Sequence, residues 1–147
     1  MSGDLADSEW TAFVAKLEAA EEEFVQGRPA GFQGLWSQAD DVTLCGGFGG
    51  VERGWKNVTD RLSWVSKIYS DGTRTREELS RMVAADFAYL VQKEVIHSRL
   101  GSQVELSALE LRAMMVFRRE ADGWASCIAT QICRWLRGRR NDDRNTV

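Results

Sequence analysis

The chain has 147 residues, of which 44% are apolar and 28% are charged, and its formal net charge at pH 7 is −3. This length suits one globular domain, and the weak negative charge gives no electrostatic basis for binding nucleic acid. We therefore expect a single domain over residues 1–147, with an ordered core over about 8–133 and a loose tail over 134–147. We expect no nucleic-acid partner.

The three cysteines are Cys45, Cys127 and Cys133. An odd number without the short spacing of metal ligands favours neither a disulfide framework nor a zinc site, so we expect no metal and no cofactor. The N-terminal run M-S-G-D-L-A-D-S-E-W lacks the basic and apolar regions of a signal peptide, and no run of about 18 apolar residues follows. We therefore expect a cytoplasmic protein with no membrane partner.

The first third of the chain has helical periodicity. Asp7 or Ser8 can cap a first helix, and Gly27 and Pro29 are expected to end it. Its apolar residues recur on one helical face: Trp10, Phe13, Val14, Leu17 and Phe24. Its acidic residues are expected to form a solvated face: Glu18, Glu21, Glu22 and Glu23.

Two further helices are predicted. A short one contains Phe32, Leu35 and Trp36 and ends near Gln38. The next begins near Gly54 and carries a regular apolar stripe: Trp55, Val58, Leu62, Val65 and Tyr69. The dipeptide Asp71-Gly72 is expected to close this segment with a turn.

The stretch between these helices, D-D-V-T-L-C-G-G-F-G-G-V-E-R-G-W, is the most distinctive of the chain. Asp40 and Asp41 accept hydrogen bonds in a turn or from an arginine such as Arg53, or one of them faces a pocket, since adjacent strand residues point to opposite faces. The glycines lack the following Lys-Ser or Lys-Thr pair of a phosphate loop. A wide turn that folds Phe48 over core or ligand is the prediction.

After Thr75 the period changes to that of strands. Strands are predicted at about 76–84 and 87–99, from Leu109 to about 120, and from Trp124 to about Cys133, although helical spacing also fits the last stretch. Segregated helices and antiparallel strands predict the α+β class. We expect a cone-shaped barrel, made of a curved antiparallel sheet covered by three N-terminal helices, with an apolar pocket at its mouth.

Three runs carry a family resemblance: A-D-D-V-T-L-C-G-G-F-G-G-V-E-R-G-W, L-S-R-M-V-A-A-D-F-A-Y-L-V-Q-K-E and L-R-A-M-M-V-F-R-R-E-A-D-G-W. Over about 10–124 the chain resembles the SnoaL-like branch of the nuclear transport factor 2-like superfamily, which has the cystatin-like fold. The resemblance implies a pocket beneath the helices and frequent homodimers. The superfamily includes ketosteroid isomerases, polyketide cyclases, dehydratases and non-catalytic association domains, so fold alone does not choose a function.

Six residues are expected to form the pocket: Trp36, Asp40, Phe48, Trp55, Tyr89 and Arg112. In the isomerases that the chain resembles, a catalytic carboxylate follows the second Asp of the Ala-Asp-Asp run by five residues. Counting from Asp41 reaches Gly46, so that base is absent. The remaining catalytic candidates are Asp40, Arg112 and His97.

Each of these candidates has a structural alternative. Arg112 lies between apolar strand neighbours, where a charge needs a partner, so it pairs with Asp40 or Asp41 or binds an anionic ligand. His97 is a general base or a surface residue at a strand end. Cys45 is a nucleophile or a buried structural thiol.

The expected function is therefore binding of a small hydrophobic ligand, as an isomerase, cyclase or hydrolase of a hydrophobic carbonyl compound. The alternative is a non-catalytic association module that forms a homodimer. An open cavity with convergent polar groups favours the first function, and a filled cone favours the second. Met114 and Val116, on the open face of the sheet, are expected in the homodimer contact.

The resemblance ends after Gly123-Trp124. Here the family continues with a strand that ends in His-Arg-His-Ala-Asp, whereas this chain reads A-S-C-I-A-T-Q-I-C. The genetic code permits a choice of codons for that run with a second reading. When this choice is read from the third base of the Ala125 codon, it encodes Leu-His-Arg-His-Ala-Asp-Leu after the first shifted codon. We hypothesise that residues 125–147 derive from a one-base deletion, which the nucleotide sequence of the gene can test.

Overall fold

The computed structural model describes residues 2–136. The helices are α1 (Ser2–Phe24), α2 (Ala30–Gln33) and α3 (Trp55–Ile68). The strands are β1 (Thr43–Cys45), β2 (Val51–Arg53), β3 (Tyr69–Val83), β4 (Phe87–Leu100), β5 (Ser107–Glu120) and β6 (Gly123–Leu136). None of these helices is both long and apolar enough to cross a lipid bilayer.

The first helix is longer than predicted and the second is shorter. Because α1 already begins at Ser2, Asp7 and Ser8 lie inside it and do not cap it. The second helix stops at Gln33, since the chain around Trp36 leaves the helical path to form a parallel bridge with Ser126. These backbone contacts tie the segment after α2 to the last strand.

The six strands form one sheet in the order β2-β1-β6-β5-β4-β3. Neighbouring strands are antiparallel except β1 and β6, which run parallel. The sheet is curved and unclosed, and α1, α2 and α3 precede its four long strands in the chain. The α+β class and the cone-like arrangement predicted from the sequence are therefore confirmed, with one parallel pair in the sheet.

The predicted turn at Asp71-Gly72 is wrong, because these residues belong to β3. Asp71 has a positive φ of 54°, and the pairing with β4 shifts register between Ser70 and Thr73. This β-bulge keeps the strand continuous, so β3 begins at Tyr69 and not near residue 76. A side chain at Gly72 would place its Cβ 1.9 Å from the Val25 carbonyl oxygen, so only glycine fits this close approach.

The core lies between the helices and the inner face of the sheet. Trp10 and Phe13 of α1 meet Phe117 and Trp124 in edge-to-face contacts, with Trp10 to Trp124 at 5.3 Å between ring centroids. Even-numbered residues of β4 are buried on this face, which places Gln92 and Glu94 inside the molecule. A second apolar cluster surrounds Tyr69, Ile96 and Leu109 near the other end of the strands.

The last strand continues three residues beyond its predicted end at Cys133 and reaches Leu136. It carries a register shift opposite Val116 and Phe117, where Cys127 is the extra residue. Residues 137–147, most of the predicted loose tail, lie outside the described residues. The strand pairs with both β5 and β1, so a sequence unlike the family's completes the sheet, and the frameshift hypothesis stays a prediction.

Candidate functional site

A cavity of about 50 Å³ lies between the helices and the inner face of the sheet. Its aliphatic lining comes from Val25, Leu44, Leu62, Val65, Ile96 and Leu111. Five aromatic residues border it as well: Phe24, Phe32, Trp36, Phe48 and Tyr69. Each ring contacts the next in the order Trp36, Phe32, Phe24, Tyr69, Phe48, with centroids 5.2–6.3 Å apart, so the rings form a continuous aromatic wall.

A charged cluster of Glu21, Arg74 and Glu94, which we call the buried triad, interrupts this apolar lining. Arg74 Nη2 donates to Glu21 Oε2 at 2.5 Å, and Arg74 Nε donates to Glu94 Oε1 at 2.9 Å. The side chains are 3% exposed for Arg74, 10% for Glu21 and 7% for Glu94. One cation therefore faces two carboxylates in a site that excludes most solvent.

The imbalance of charge raises the pKa of Glu21 from 4.5 to about 8. Burial is the largest cause, repulsion from Glu94 adds to it, and attraction to Arg74 and Arg76 opposes it. The amide of Gln92 lies near Glu21 and also opposes the rise, but the two groups lack the geometry of a hydrogen bond. At neutral pH the triad thus holds a proton on Glu21 and carries no net charge.

Tyr69 adds a neutral polar group to the cavity wall. Burial raises the pKa of its hydroxyl, and the nearby Cys133 and Glu94 raise it further. The hydroxyl therefore stays protonated over the whole physiological range. It can donate or accept a hydrogen bond without bringing charge into the cavity.

The glycine-rich turn forms part of the cavity wall through Gly46, Gly47 and Phe48. Gly49 and Gly50 have φ angles of 92° and 81°, which L side chains rarely adopt. Arg61 Nη2 donates to the Gly49 carbonyl at 2.9 Å, and its guanidinium lies 4.4 Å from the Trp64 ring centroid. This arginine holds the turn in the position that brings Phe48 against Tyr69.

Two of the six predicted pocket residues, Trp36 and Phe48, line the cavity. Asp40 is exposed in the turn before β1, and Trp55 is half-buried and packs against the core at the start of α3. Neither borders the cavity. Phe48 reaches the cavity from the glycine-rich turn.

The other two predicted residues, Tyr89 and Arg112, lie on the outer face of the sheet. Tyr89 stands opposite Val116, and the Arg112 side chain is 61% exposed and donates to Glu110 at 3.3 Å. Arg112 therefore neither borders the cavity nor pairs with Asp40 or Asp41. Its apolar sequence neighbours occupy the inner face, while its own side chain points to solvent.

The remaining catalytic candidates also lie away from the cavity. His97 is exposed on β4 opposite Ala108, and Cys45 is half-buried in β1. Asp41 accepts two hydrogen bonds from Arg118, at 2.8 and 2.7 Å, and not from Arg53. These residues have structural or surface positions.

The buried triad was missed by the sequence analysis. Glu21 belongs to an acidic run that was predicted to face solvent. Arg74 lies between the turn predicted at Asp71-Gly72 and the strand predicted to begin near residue 76, so it was assigned to no strand. Glu94 could have been found, because on a strand it shares a face with Leu90 and Ile96. A charged residue among buried apolar ones needs a partner, which indicates an internal ion pair.

Comparison with solved structures identifies the fold. LinA, a hexachlorocyclohexane dehydrochlorinase, superposes with a TM-score of 0.75 at 15% identity, over 93% of this chain and 95% of that chain. A proposed dehydratase of the nuclear transport factor 2-like family from Streptomyces avermitilis gives 0.70 at 20% identity, over 86% and 97%. The protein has the nuclear transport factor 2-like fold.

A third solved structure of similar fold is named for a different role. A proposed calcium/calmodulin-dependent protein kinase type II association domain from Thiobacillus denitrificans gives a TM-score of 0.65 at 19% identity, over 86% and 94% of the two chains. No family model matches the sequence, and no curated protein matches it significantly. The comparison with solved structures thus shows the nuclear transport factor 2-like fold. The fold alone does not determine the activity, which depends on the residues of the cavity.

Proposed function

We propose that this nuclear transport factor 2-like domain binds a small hydrophobic carbonyl compound and moves a proton on it. The observation that carries the proposal is Glu21, a titratable carboxyl group on the wall of an aromatic and aliphatic cavity. A group with a pKa of about 8 can both accept and donate a proton near neutral pH. The SnoaL-like branch, predicted from the sequence, includes enzymes and is compatible with this chemistry.

The proton transfer runs through Glu21. Its carboxylate takes a proton from the carbon beside the carbonyl group, and the electron pair of that C–H bond moves toward the carbonyl oxygen to give an enolate. If a C=C bond joins the next two carbons, the enolate is conjugated and Glu21 returns the proton to the far end of that bond as the carbonyl group forms again, which completes an isomerisation. If the next carbon carries a leaving group, the carbonyl group forms again, a C=C bond forms, and the leaving group departs with its electron pair, which completes an elimination with the proton left on Glu21. Arg74 stays charged beside Glu21 and offsets the negative charge during transfer.

Isomerisation or elimination fits the cavity better than covalent hydrolysis. Among the described residues that border the cavity there is no cysteine, histidine, serine or threonine to act as a nucleophile. Two proteins of similar fold are named as a dehydrochlorinase and as a proposed dehydratase, and both names describe elimination reactions. This supports proton transfer as the reaction class.

The test follows exchange of the α-protons of cyclopentanone in D2O by NMR. We expect the protein to accelerate exchange, with a rate that rises between pH 7 and pH 9 as Glu21 loses its proton. Glu21→Gln should abolish the acceleration, while Glu23→Gln, an exposed residue of the same helix, should retain it. Exchange by Glu21→Gln as fast as by the unaltered protein would refute the mechanism.

The second candidate function is association through the outer face of the sheet. Tyr89, Val116 and Ile128 stand side by side on three adjacent strands, and Val91 and Met114 form the next row. Met114 is 43% and Ile128 is 39% exposed, which leaves an apolar surface on this face. We propose that two copies pack through this surface into a homodimer.

Light scattering tests the homodimer. We expect twice the chain mass of 16.6 kDa at micromolar concentration, and a monomer after Met114→Lys combined with Ile128→Lys. Leu79→Lys, on the edge strand, is the matched exposed control and should remain dimeric. A mass of 16.6 kDa for the unaltered protein contradicts the dimer and leaves the proton-transfer proposal in place.

We also propose a cytoplasmic location with no membrane partner. All three cysteines are free, which suits a reducing compartment. Measurement of the protein in cell fractions tests this location.

A further inference from the structure

Trp36 holds an unused hydrogen-bond donor at the cavity. Its side chain lies on the cavity wall and the residue is only 3% exposed. Its indole nitrogen is buried and has no acceptor among the described residues. Buried indole N–H groups usually find an acceptor, so a ligand in the cavity is a natural partner for this one.

Two other tryptophans show what distinguishes Trp36. The indole nitrogens of Trp10 and Trp124 are also buried without an acceptor, but both rings lie in the core and not on the cavity. They pack edge to face against each other, with an interplanar angle of 76°, and Trp10 packs in the same way against Phe117. Of these three, Trp36 alone borders a space that a ligand can enter.

The charged groups at the cavity already have partners within the protein. Arg74 is shared by Glu21 and Glu94, while Arg61 has no carboxylate partner among the described ion pairs but donates to the Gly49 carbonyl and stacks on Trp64. An anionic ligand would therefore meet two carboxylates and would have to draw one of these arginines away from its partners. A cationic ligand would have to displace Arg74 or the proton of Glu21. Either change is unfavourable in a buried site, so the cavity suits an uncharged molecule.

The size of the cavity limits the ligand further. Its volume of about 50 Å³ is well below the roughly 150 Å³ of an engineered cavity that binds benzene. The enclosed part can therefore accept the head of a small ligand, such as a carbonyl group with its neighbouring carbons.

We propose that Trp36 is a specificity-determining residue, whose indole N–H donates to the acceptor oxygen of a compact uncharged ligand. The cavity then selects a neutral carbonyl compound over a hydrocarbon of the same shape, and over the corresponding carboxylate or amine. This inference rests on the proposed function, but it concerns recognition of the carbonyl oxygen and not the movement of a proton.

The test uses the indole N–H signals of the 15N-labelled full chain, with cyclopentanone, cyclopentene, cyclopentanecarboxylate and cyclopentylamine as probes. Trp36→Phe identifies the Trp36 signal by its loss. We expect cyclopentanone to shift that signal downfield in a saturable way, and cyclopentene to bind without this shift. The carboxylate and the amine should not bind.

The variants supply the second readout. Trp36→Phe should weaken cyclopentanone binding about tenfold more than cyclopentene binding, because both probes meet the same smaller ring but only cyclopentanone loses a donor. Trp124→Phe, which removes an equally buried indole nitrogen away from the cavity, should change neither affinity.

The outcomes separate the two proposals. Equal weakening of both probes by Trp36→Phe, an unshifted Trp36 signal with bound cyclopentanone, or tighter binding of the carboxylate or amine would each overturn the inference while a binding cavity remains. If none of the probes binds, both proposals fail. If cyclopentanone binds as expected but no α-proton exchange occurs, recognition by Trp36 stands and the proton-transfer mechanism fails.

Discussion

Two clusters in this protein each join one arginine to two carboxylates, but the pKa of a carboxyl group shifts in opposite directions in the two. In the buried triad, Arg74 bridges Glu21 and Glu94, and its side chain is 3% exposed. In the surface cluster, Arg118 bridges Asp41 and Glu120, and its side chain is 28% exposed. The pKa of Glu21 rises to about 8, whereas hydrogen bonds from Arg118 hold the pKa of Asp41 below 3.8.

The difference shows that solvent, and not the choice of partners, decides what a carboxylate paired to arginine can do. At the surface, water and the hydrogen bonds from Arg118 stabilise the charge of Asp41, so the cluster is a structural clamp. In the buried triad, water does not stabilise the second negative charge, so Glu21 binds a proton instead. General acid–base chemistry needs a group that exchanges a proton near neutral pH, and this carboxyl group does so.

The largest predicted effect comes from removing each arginine. Arg74→Met leaves two buried carboxylates without a cation, and we expect it to lower the free energy of unfolding by about 3–5 kcal/mol. Arg118→Met should cost at most about 1 kcal/mol, because solvent reaches its partners. Urea denaturation of both variants measures the difference, and equal losses would show that burial does not separate the clusters.

The next prediction concerns pH. Below pH 4.5 Glu21 is protonated in both the folded and the unfolded chain, so it makes no contribution to the pH dependence. Between pH 4.5 and about 8 only the folded chain keeps this proton, so the free energy of unfolding falls as pH rises, by up to about 1.4 kcal/mol per unit. Above pH 8 the effect levels off.

Melting curves at a series of pH values check this sign. Glu21→Gln cannot titrate, so its stability should lose this fall between pH 5 and pH 8, while the exposed variant Glu23→Gln should retain it. A stability of the unaltered protein that rises over this interval, with no difference in Glu21→Gln, would contradict a protonated Glu21.

The smallest predicted effect lies in the surface cluster, and its sign is opposite. Because the folded pKa of Asp41 is lowered, its contribution to stability is present above pH 3.8 and is lost as the pH falls through the folded value. NMR titration of the Asp41 carboxyl carbon should give a midpoint below 3.8 in the unaltered protein and nearer 3.8 in Arg118→Met. An unchanged midpoint would remove Arg118 as the cause.

The sequence predicted the architecture because the long elements have clear periods. The apolar stripe of α3 indicates a helix, and the alternation of apolar and polar residues along β4 and β5 indicates strands. The start of β3 was missed because Asp71-Gly72 has the composition of a turn, while its positive φ serves a bulge. A bulge and a turn use the same residues, and only the pairing with β4 separates them.

The site was harder to predict for a related reason. Alternation gives two faces but does not say which one is covered when both carry apolar residues, so Tyr89 and Arg112 were placed inside. Trp36 and Phe48, which were also predicted at the pocket, lie on the cavity wall. The partners Glu21 and Arg74 are 53 residues apart, and no local pattern reports such a pairing.

The irregular edge strand has a consequence for polymerisation. β3 lies at one edge of the sheet, and besides the bulge at Asp71-Gly72 it shifts register again between Glu78 and Ser80. The interrupted spacing and the charges of Glu77 and Arg81 prevent a strand of another molecule from adding along a straight hydrogen-bonding ladder. Growth into a filament through β3 is therefore disfavoured, even though β3 is a 15-residue edge strand.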